Sequence, residues 1–122
     1  FMIEEMIAQP RSEYIVGAKR DPALGLALMI GLGGSNVEAQ SSFRLVLLPA
    51  TAGDLERAIT SLGIGPAHPD HAPLLQAANA VLAFVMDKQD QVITLDVNPI
   101  IITQDNRAIA ADAVIVLAQP EA

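Results

Sequence analysis

The spacing of apolar and polar residues predicts strands at both ends of the chain and helices in the middle. Apolar residues that alternate with polar ones, or that run on without interruption, are typical of strands. Turn residues in Arg20–Gly25 join two such runs into an antiparallel hairpin. Loops are predicted around Pro10 and over Gly31–Ser42. The predicted strands are Phe1–Ile7, Glu13–Arg20, Leu24–Leu32, Arg44–Leu48, Gln91–Thr103 and Ala108–Leu117.

Two helices are predicted between these strands. Thr51 and Asp54, three residues later, have the pattern of a capping box, and Gly63 is placed to end the same helix. Apolar residues that recur every three or four positions give each helix one apolar face. That face consists of Leu55, Ala58, Ile59 and Leu62 in the first helix, and of Leu74, Leu75, Ala78, Val81, Leu82, Val85 and Met86 in the second.

The order of these elements predicts an α+β fold. Strands at both ends with helices between them indicate a largely antiparallel sheet that carries two helices on one face. The 122 residues are enough for a single domain with its own core. The chain starts inside an apolar run at Phe1, so we expect it to be part of a longer protein.

Composition and charge exclude several classes of function. The chain has 7 basic and 14 acidic residues and a net charge of −7, which would repel a nucleic acid backbone. It has no cysteine, which excludes disulfides, thiolate zinc sites and cysteine nucleophiles and fits a cytoplasmic location. No apolar run approaches the roughly 20 residues of a membrane-spanning helix, so no membrane partner is expected.

The predicted C-terminal hairpin carries the strongest chemical pattern. Side chains alternate along a strand, so Asp96 and Asn98 lie on one face and their apolar neighbours on the other. A three-residue turn would place Asn98 opposite Asp112, whereas a four-residue turn would place them on opposite faces. An amide oxygen and a carboxylate in that arrangement suit Mg²⁺. The alternative is an exposed polar pair on a half-solvated sheet.

Residues near the predicted loops are further candidates. Gly33 and Gly34 follow a buried strand, where they let a ligand approach the backbone or simply form a flexible turn. Arg20 and Arg44 lie at strand ends, where each could clamp phosphate oxygens or form a surface ion pair. Glu5, also near a strand end, could accept a hydrogen bond from an adenine amine or remain solvated. The two histidines of the Pro-rich loop have no metal-ligand spacing and are interpreted as loop residues.

Five segments taken together resemble successive blocks of a known family. The segments are Glu4–Ile7, Glu13–Gly25, Gly31–Glu38, Ser42–Pro49 and Leu95–Ile102, and they cover nearly the whole chain. They are similar to the ATP-grasp domain of ADP-forming acyl-CoA (acetyl-CoA) synthetases. The same blocks occur in related bacterial protein lysine acetyltransferases and, more distantly, in the β subunit of succinyl-CoA synthetase.

The resemblance implies that the chain is the C-terminal lobe of an ATP-grasp domain. The partners would be an N-terminal lobe and a CoA-binding domain, with ATP/ADP and Mg²⁺ as cofactors. The parent would be an acid–CoA ligase (ADP-forming), whereas this lobe alone would be inactive and could form a homo-oligomer through its uncovered apolar surface. The alternative is a non-catalytic nucleotide- or acyl-CoA-sensing module of an acetyltransferase.

The resemblance also implies roles for individual residues. Thr94 stands where the family usually has an acid. The implied roles are Mg²⁺ ligands for Asn98 and Asp112, contact with adenine for Glu5, contact with phosphates for Arg20 and Arg44, and the phosphoryl-transfer end for Gly33, Gly34 and Glu38.

Overall fold

The computed structural model describes residues 10–33 and 42–118. These residues contain six strands and two helices. Neither helix of these residues has the length and apolar character needed to cross a membrane. The strands are β1 (Pro10–Asp21), β2 (Gly25–Leu32), β3 (Phe43–Leu47), β4 (Val92–Thr103), β5 (Ala108–Ala110) and β6 (Ala113–Leu117), and the helices are α1 (Ala52–Ser61) and α2 (His71–Asp87).

The six strands form one antiparallel sheet. β1 pairs with β2 on one side and with β4 on the other, and β3 pairs with the far side of β2. β5 and β6 follow each other along the outer side of β4. The predicted α+β fold, with a largely antiparallel sheet and two helices, is confirmed.

One face of the sheet is buried under the helices and forms the core. β1 contributes alternate residues, Tyr14, Val16 and Ala18, as the pleat of a strand requires. Leu55 and Ile59 of α1 are fully buried against this face. Aliphatic side chains dominate the core because the chain is only 3% aromatic. Its other members include Leu26, Leu28, Ile30, Leu74, Ala78, Leu82, Val85, Leu95, Val97, Ile100 and Ile102.

The opposite side of the sheet, which we call the open face, carries most of the exposed residues of the strands. Phe43, Leu45 and Leu47 of β3 point to this face and are 47%, 60% and 50% exposed. The strand pairing places on it Glu13, Ile15, Gly17, Lys19 and Asp21 of β1, Ala27, Met29 and Gly31 of β2, the three β3 residues, Thr94, Asp96, Asn98 and Ile101 of β4, Asp112, and Val114 and Val116 of β6.

The ends of α1 follow the predicted capping chemistry. Thr51 Oγ1 accepts a hydrogen bond from the Asp54 N–H at 3.2 Å, and Asp54 Oδ2 accepts one from the Thr51 N–H at 2.8 Å. This reciprocal pair is the predicted capping box. Gly63, just past the helix, has a φ of 94°, a conformation that glycine adopts without strain.

Three predicted boundaries are wrong, and one predicted strand lies outside the described residues. The predicted loop around Pro10 is the start of β1, where a proline costs no hydrogen bond within the sheet. The predicted loop from Gly31 begins later, because Gly31 and Leu32 still belong to β2. The last strand is divided into β5 and β6. The strand predicted at Phe1–Ile7 lies outside the described residues.

Candidate functional site

The C-terminal hairpin brings the two candidate metal residues together. The Thr103 N–H donates to the Arg107 carbonyl at 2.9 Å, which closes a three-residue turn. The same register continues along β5 and β6, so Asn98 lies opposite Asp112. The Asn98 N–H donates to the Asp112 carbonyl oxygen at 3.2 Å. Both side chains are exposed and share one face of the sheet.

Asp96 lies on the same face, two residues before Asn98. It is exposed and pairs with Gly17 of β1. A Cβ atom at Gly17 would lie 2.8 Å from the Leu95 carbonyl oxygen and 3.7 Å from Asp96 Oδ1. The missing side chain therefore lets β1 and β4 approach each other and leaves the Asp96 carboxylate accessible.

β4 contains a bulge at Asn98 and the proline that follows it. Val97 pairs with Val16, but Ile100 pairs with Tyr14. β4 therefore has one more residue than β1 between these two pairs, which is a β-bulge. Val97 and Ile100 are both buried although they differ in parity, and Asn98 between them is exposed. The bulge thus keeps apolar residues in the core on both sides of the polar pair.

The oxygen atoms of this pair are suited to a hard divalent cation. Asp112 Oδ1 accepts the Ala113 N–H at 2.9 Å, and no described residue donates to Oδ2. Among residues 10–33 and 42–118, no cluster of three or more His, Cys, Asp or Glu side chains could hold a metal ion. A cation held here would therefore need further ligands from phosphate oxygens and water, as Mg²⁺ commonly has at nucleotide sites.

The two candidate arginines do not lie beside this pair. Arg20 points to the helix-covered side, where Nε donates to the Val92 carbonyl at 3.0 Å and Nη2 donates to the Gln89 carbonyl. Arg44 points to the same side, where Nε and Nη2 donate to Ser61 Oγ and O at 2.8 and 2.9 Å. The geometry joins both arginines to the helices and their loops, and their proposed contact with phosphates stays a prediction.

The remaining candidates are only partly described. The Gly33 N–H donates to the Glu13 carbonyl at 3.0 Å, and a Cβ atom at Gly33 would lie 3.1 Å from the same carbonyl group. Gly33 therefore allows the end of β2 to stay close to β1. Glu5, Gly34 and Glu38 lie outside the described residues.

A groove of about 490 Å³ lies between β3 and α1 at the edge of the sheet. Its lining includes Arg44, Asp54, Arg57 and Ser61. Arg57 pairs with Asp54, and Arg44 is bonded to Ser61, so the polar groups of the groove satisfy one another. None of its lining residues belongs to the C-terminal hairpin.

A buried polar cluster between α2 and β1 was missed by the sequence analysis. The Asp70 side chain is 1% exposed. Its Oδ2 accepts hydrogen bonds from Ser12 Oγ and Tyr14 Oη, each at 2.5 Å, and its Oδ1 accepts one from Arg11 Nε at 2.8 Å. Asp70 precedes an apolar helical pattern, which suggests an N-cap residue, yet its side chain makes no cap hydrogen bond. The sequence gives no sign that these partners meet.

The hydrogen bonds of this cluster determine the protonation states of Asp70 and Tyr14. Burial alone would raise the pKa of Asp70, but the hydrogen bonds from Ser12, Tyr14 and Arg11 outweigh it and lower the pKa below its ordinary value. Burial, together with the neighbouring Asp70 carboxylate, raises the pKa of the Tyr14 hydroxyl. Asp70 is thus ionised and Tyr14 neutral at physiological pH, and the cluster fastens the start of β1 to α2.

The expectation that both histidines are loop residues is wrong for His71. This residue begins α2, is 8% exposed and has its Nδ1 atom 2.8 Å from the Ile64 carbonyl oxygen. Its contact ties the first turn of α2 to the segment after α1 and indicates a structural role.

The sequence is related to curated ligases. The profile of the ATP-grasp domain matches residues 1–117. The β subunit of acetate–CoA ligase [ADP-forming] II from Pyrococcus furiosus is 30% identical over 120 residues, which cover 89% of this chain and 50% of that protein. An acetate–CoA ligase [ADP-forming] from Methanocaldococcus jannaschii is 40% identical over 50 residues, covering 41% of this chain and 7% of that protein.

Solved structures have the same fold. The crystal structure of PH1788 from Pyrococcus horikoshii matches with a TM-score of 0.79 and 28% identity, over 93% of this chain and 51% of that one. The dinucleotide forming acetyl-coenzyme A synthetase 1 of Ca. Korarchaeum cryptofilum, in complex with coenzyme A and Mg-AMPPCP, matches with a TM-score of 0.72 and 26% identity, over 91% and 55%. The chain spans about half the length of the Pyrococcus relatives. With its sequence matched over residues 1–117 and its fold shared with these proteins, the chain belongs to the ATP-grasp family.

Proposed function

We propose that this chain is the C-terminal lobe of an ATP-grasp domain and binds a magnesium–nucleotide complex on its open face. The parent protein would be an ADP-forming acyl-CoA synthetase, with acetate as the first acid to test. The observation that carries this proposal is the hairpin register, in which Asn98 and Asp112 are opposed and Asp96 lies beside them.

Charge explains why a nucleotide would need a divalent cation at this place. The Asp96 and Asp112 carboxylates lie on the open face, and they would repel a bare phosphate chain. Asn98 and Asp112 would hold the Mg²⁺, which when bound would neutralise phosphate oxygens during phosphoryl transfer. The two protein ligands leave room for the phosphate and water ligands that Mg²⁺ prefers.

The rest of the reaction is assigned to parts of the parent outside this lobe. The exposed β3 side chains Phe43, Leu45 and Leu47 make the open face apolar at one edge, which suits coverage by a second lobe. In the Korarchaeum synthetase, a phosphohistidine segment points towards the nucleotide binding site. We infer that a comparable segment of the parent would receive the phosphoryl group here, and that the isolated lobe would not catalyse.

The test is a titration of Mg-ATP into the full-length parent protein by calorimetry, with wild type compared with Asp112→Ala. We expect the variant to lose at least about tenfold in affinity, because one charged contact to the metal–phosphate complex is removed. The same titration with ATP and EDTA should show weak binding to wild type, since the carboxylates then face an uncompensated phosphate chain.

Asp87→Ala is the matched control, because it removes one carboxylate from the exposed end of α2, which precedes the first residue of β4 and not the Asn98–Asp112 pair. It should bind Mg-ATP as wild type does. Equal affinity of wild type and Asp112→Ala for Mg-ATP would show that the metal assignment is wrong.

A further inference from the structure

The basic residues of the chain are nearly all engaged, with one exception. The Lys19 side chain has no hydrogen bond or ion pair with any residue in the described ranges 10–33 and 42–118, and its charge interacts with the Asp21 carboxylate two residues along β1. The other six basic side chains have acceptors: Arg11 with Asp70, Arg20 with the carbonyls of Gln89 and Val92, Arg44 with Ser61, Arg57 with Asp54, Lys88 with Asp87, and Arg107 with Asp105.

Lys19 lies on the open face, in the neighbourhood of the candidate metal pair. It pairs with Thr94 of β4, in the register that pairs Gly17 with Asp96. Asp96 is therefore a diagonal neighbour of Lys19, at a separation of about 7–8 Å that a long side chain can span. The four methylene groups of lysine can lie along the sheet while the amine stays in solvent. The amine can thus reach the space above Asp96, between Thr94 and Asn98.

The distribution of apolar and charged residues along β4 indicates which way a nucleotide would lie on the open face. Ile101 lies beyond Asn98 on β4, and Ile15 lies near it on β1. Both are half-buried apolar residues of the open face. The opposite end carries Thr94, Asp96 and Lys19. An apolar base would lie over the isoleucines, so the terminal phosphate would point away from them, towards Asp96 and Lys19.

Lys19 adds a positive charge to the open face, where the carboxylates of Glu13, Asp21, Asp96 and Asp112 lie. A phosphoryl group that moves from the metal pair towards Asp96 would approach a like charge. Phosphoryl transfer depends on compensation of the charge on the transferred group, and a fixed cation beside its path provides it.

We propose that Lys19 contacts the terminal phosphoryl group of the nucleotide and stabilises it during transfer. This inference rests on the proposed function, because it requires a Mg-nucleotide on the open face. Lys19 lies on the face of the candidate metal pair, whereas the Arg20 and Arg44 side chains are bonded on the helix side of the sheet.

The experiment measures how fast each of the two lysines is acylated in the full-length parent protein. The protein is treated with an amine-reactive acetylating reagent, alone or with saturating Mg-ATP or Mg-ADP, and the peptides that contain Lys19 and Lys88 are quantified by mass spectrometry. Mg-ATP should slow acylation of Lys19 about tenfold, the size expected for one charge-assisted contact, whereas Mg-ADP should slow it little. Lys88 should react equally in all three samples.

Variants supply a second measurement. Lys19→Ala should weaken Mg-ATP binding about tenfold and leave Mg-ADP binding unchanged, which a misfolded variant would not do. Lys19→Arg should retain most of the Mg-ATP affinity, and Lys88→Ala should retain all of it.

The possible failures are distinguishable. If Mg-ATP binds wild type but not Asp112→Ala, and Lys19 is acylated at the same rate with and without Mg-ATP, the inference on Lys19 is wrong and the proposed function stands. If wild type does not bind Mg-ATP at all, both are wrong.

Discussion

At the scale of single residues, polar side chains separate into two groups with different physical situations. Asp70 is buried and has three donors, and no buried side-chain nitrogen or oxygen of the described residues lacks a partner. Asp96, Asn98 and Asp112 are exposed on an open sheet face. Buried polar groups need hydrogen-bond partners within the protein for the fold to be stable, whereas exposed polar groups are solvated and remain available to bind a ligand. The second group is therefore the better candidate for binding.

Gly17 is a single residue whose replacement should have a large effect. Gly17→Ala would place a methyl group 2.8 Å from the Leu95 carbonyl oxygen, so β1 and β4 would have to move apart. Overpacking of this kind costs about 1–3 kcal/mol. We expect the free energy of unfolding, measured with urea, to fall by that amount.

Gly65→Ala is the matched control for this change. A Cβ atom there would lie 3.7 Å from Thr60 Cγ2, an ordinary contact, so stability should change by less than about 0.5 kcal/mol. An equal effect of both substitutions would contradict the role given to Gly17.

At the scale of secondary structure elements, α1 offers a test of local stabilisation. Thr51→Ala removes the side chain that accepts the Asp54 N–H and so breaks the capping box. Loss of such a cap costs about 1 kcal/mol, and the urea midpoint should fall accordingly.

Thr60→Ala serves as the comparison, because Thr60 is an exposed residue of the same helix whose side chain takes no part in the N-terminal capping box. It should leave the midpoint nearly unchanged. A similar decrease in both variants would mean that the effect arises from loss of threonine in the helix and not from the cap.

The elements also show which features the sequence predicts and why others escape it. Both helices, and the strands from Glu13 onwards, follow from periodicity, because a local pattern specifies them. The sequence leaves the hairpin register open between two turn lengths, and the three-residue turn decides it. The partners of Arg20 and the buried position of Asp70 depend on contacts between segments far apart in sequence, and no local pattern records them. The candidate metal pair was predictable because a single turn length decides it.

At the scale of the whole molecule, stability should depend on acidic pH. Hydrogen bonds, mainly from backbone N–H or hydroxyl groups, lower the pKa values of Asp21, Asp54 and Asp105. Burial alone would raise the pKa of Asp70, but its hydrogen bonds lower it. The folded protein therefore binds protons less readily than the unfolded chain. The stability that these groups contribute is present above their ordinary pKa and is lost as pH falls through the lower, folded values.

We expect the free energy of unfolding to decrease between about pH 5 and pH 2 in urea titrations of wild type. Asp70→Asn should show a shallower decrease, because the most buried of these carboxylates no longer titrates. If Asp70→Asn is too unstable to measure, Ser12→Ala removes one donor and should also make the decrease shallower. An unchanged slope in both variants would contradict the assignment to Asp70.

The pairing of β1 with β4 makes the candidate metal pair depend on a long-range contact. The two strands are separated by roughly 80 residues in sequence, so their pairing closes a long loop, which is costly in chain entropy. Asn98 lies on β4, and Asp112 is held opposite it. A ligand that bound to this pair would favour the complete sheet over states in which β1 and β4 are apart. Ligand binding and closure of the β1–β4 contact would therefore be coupled.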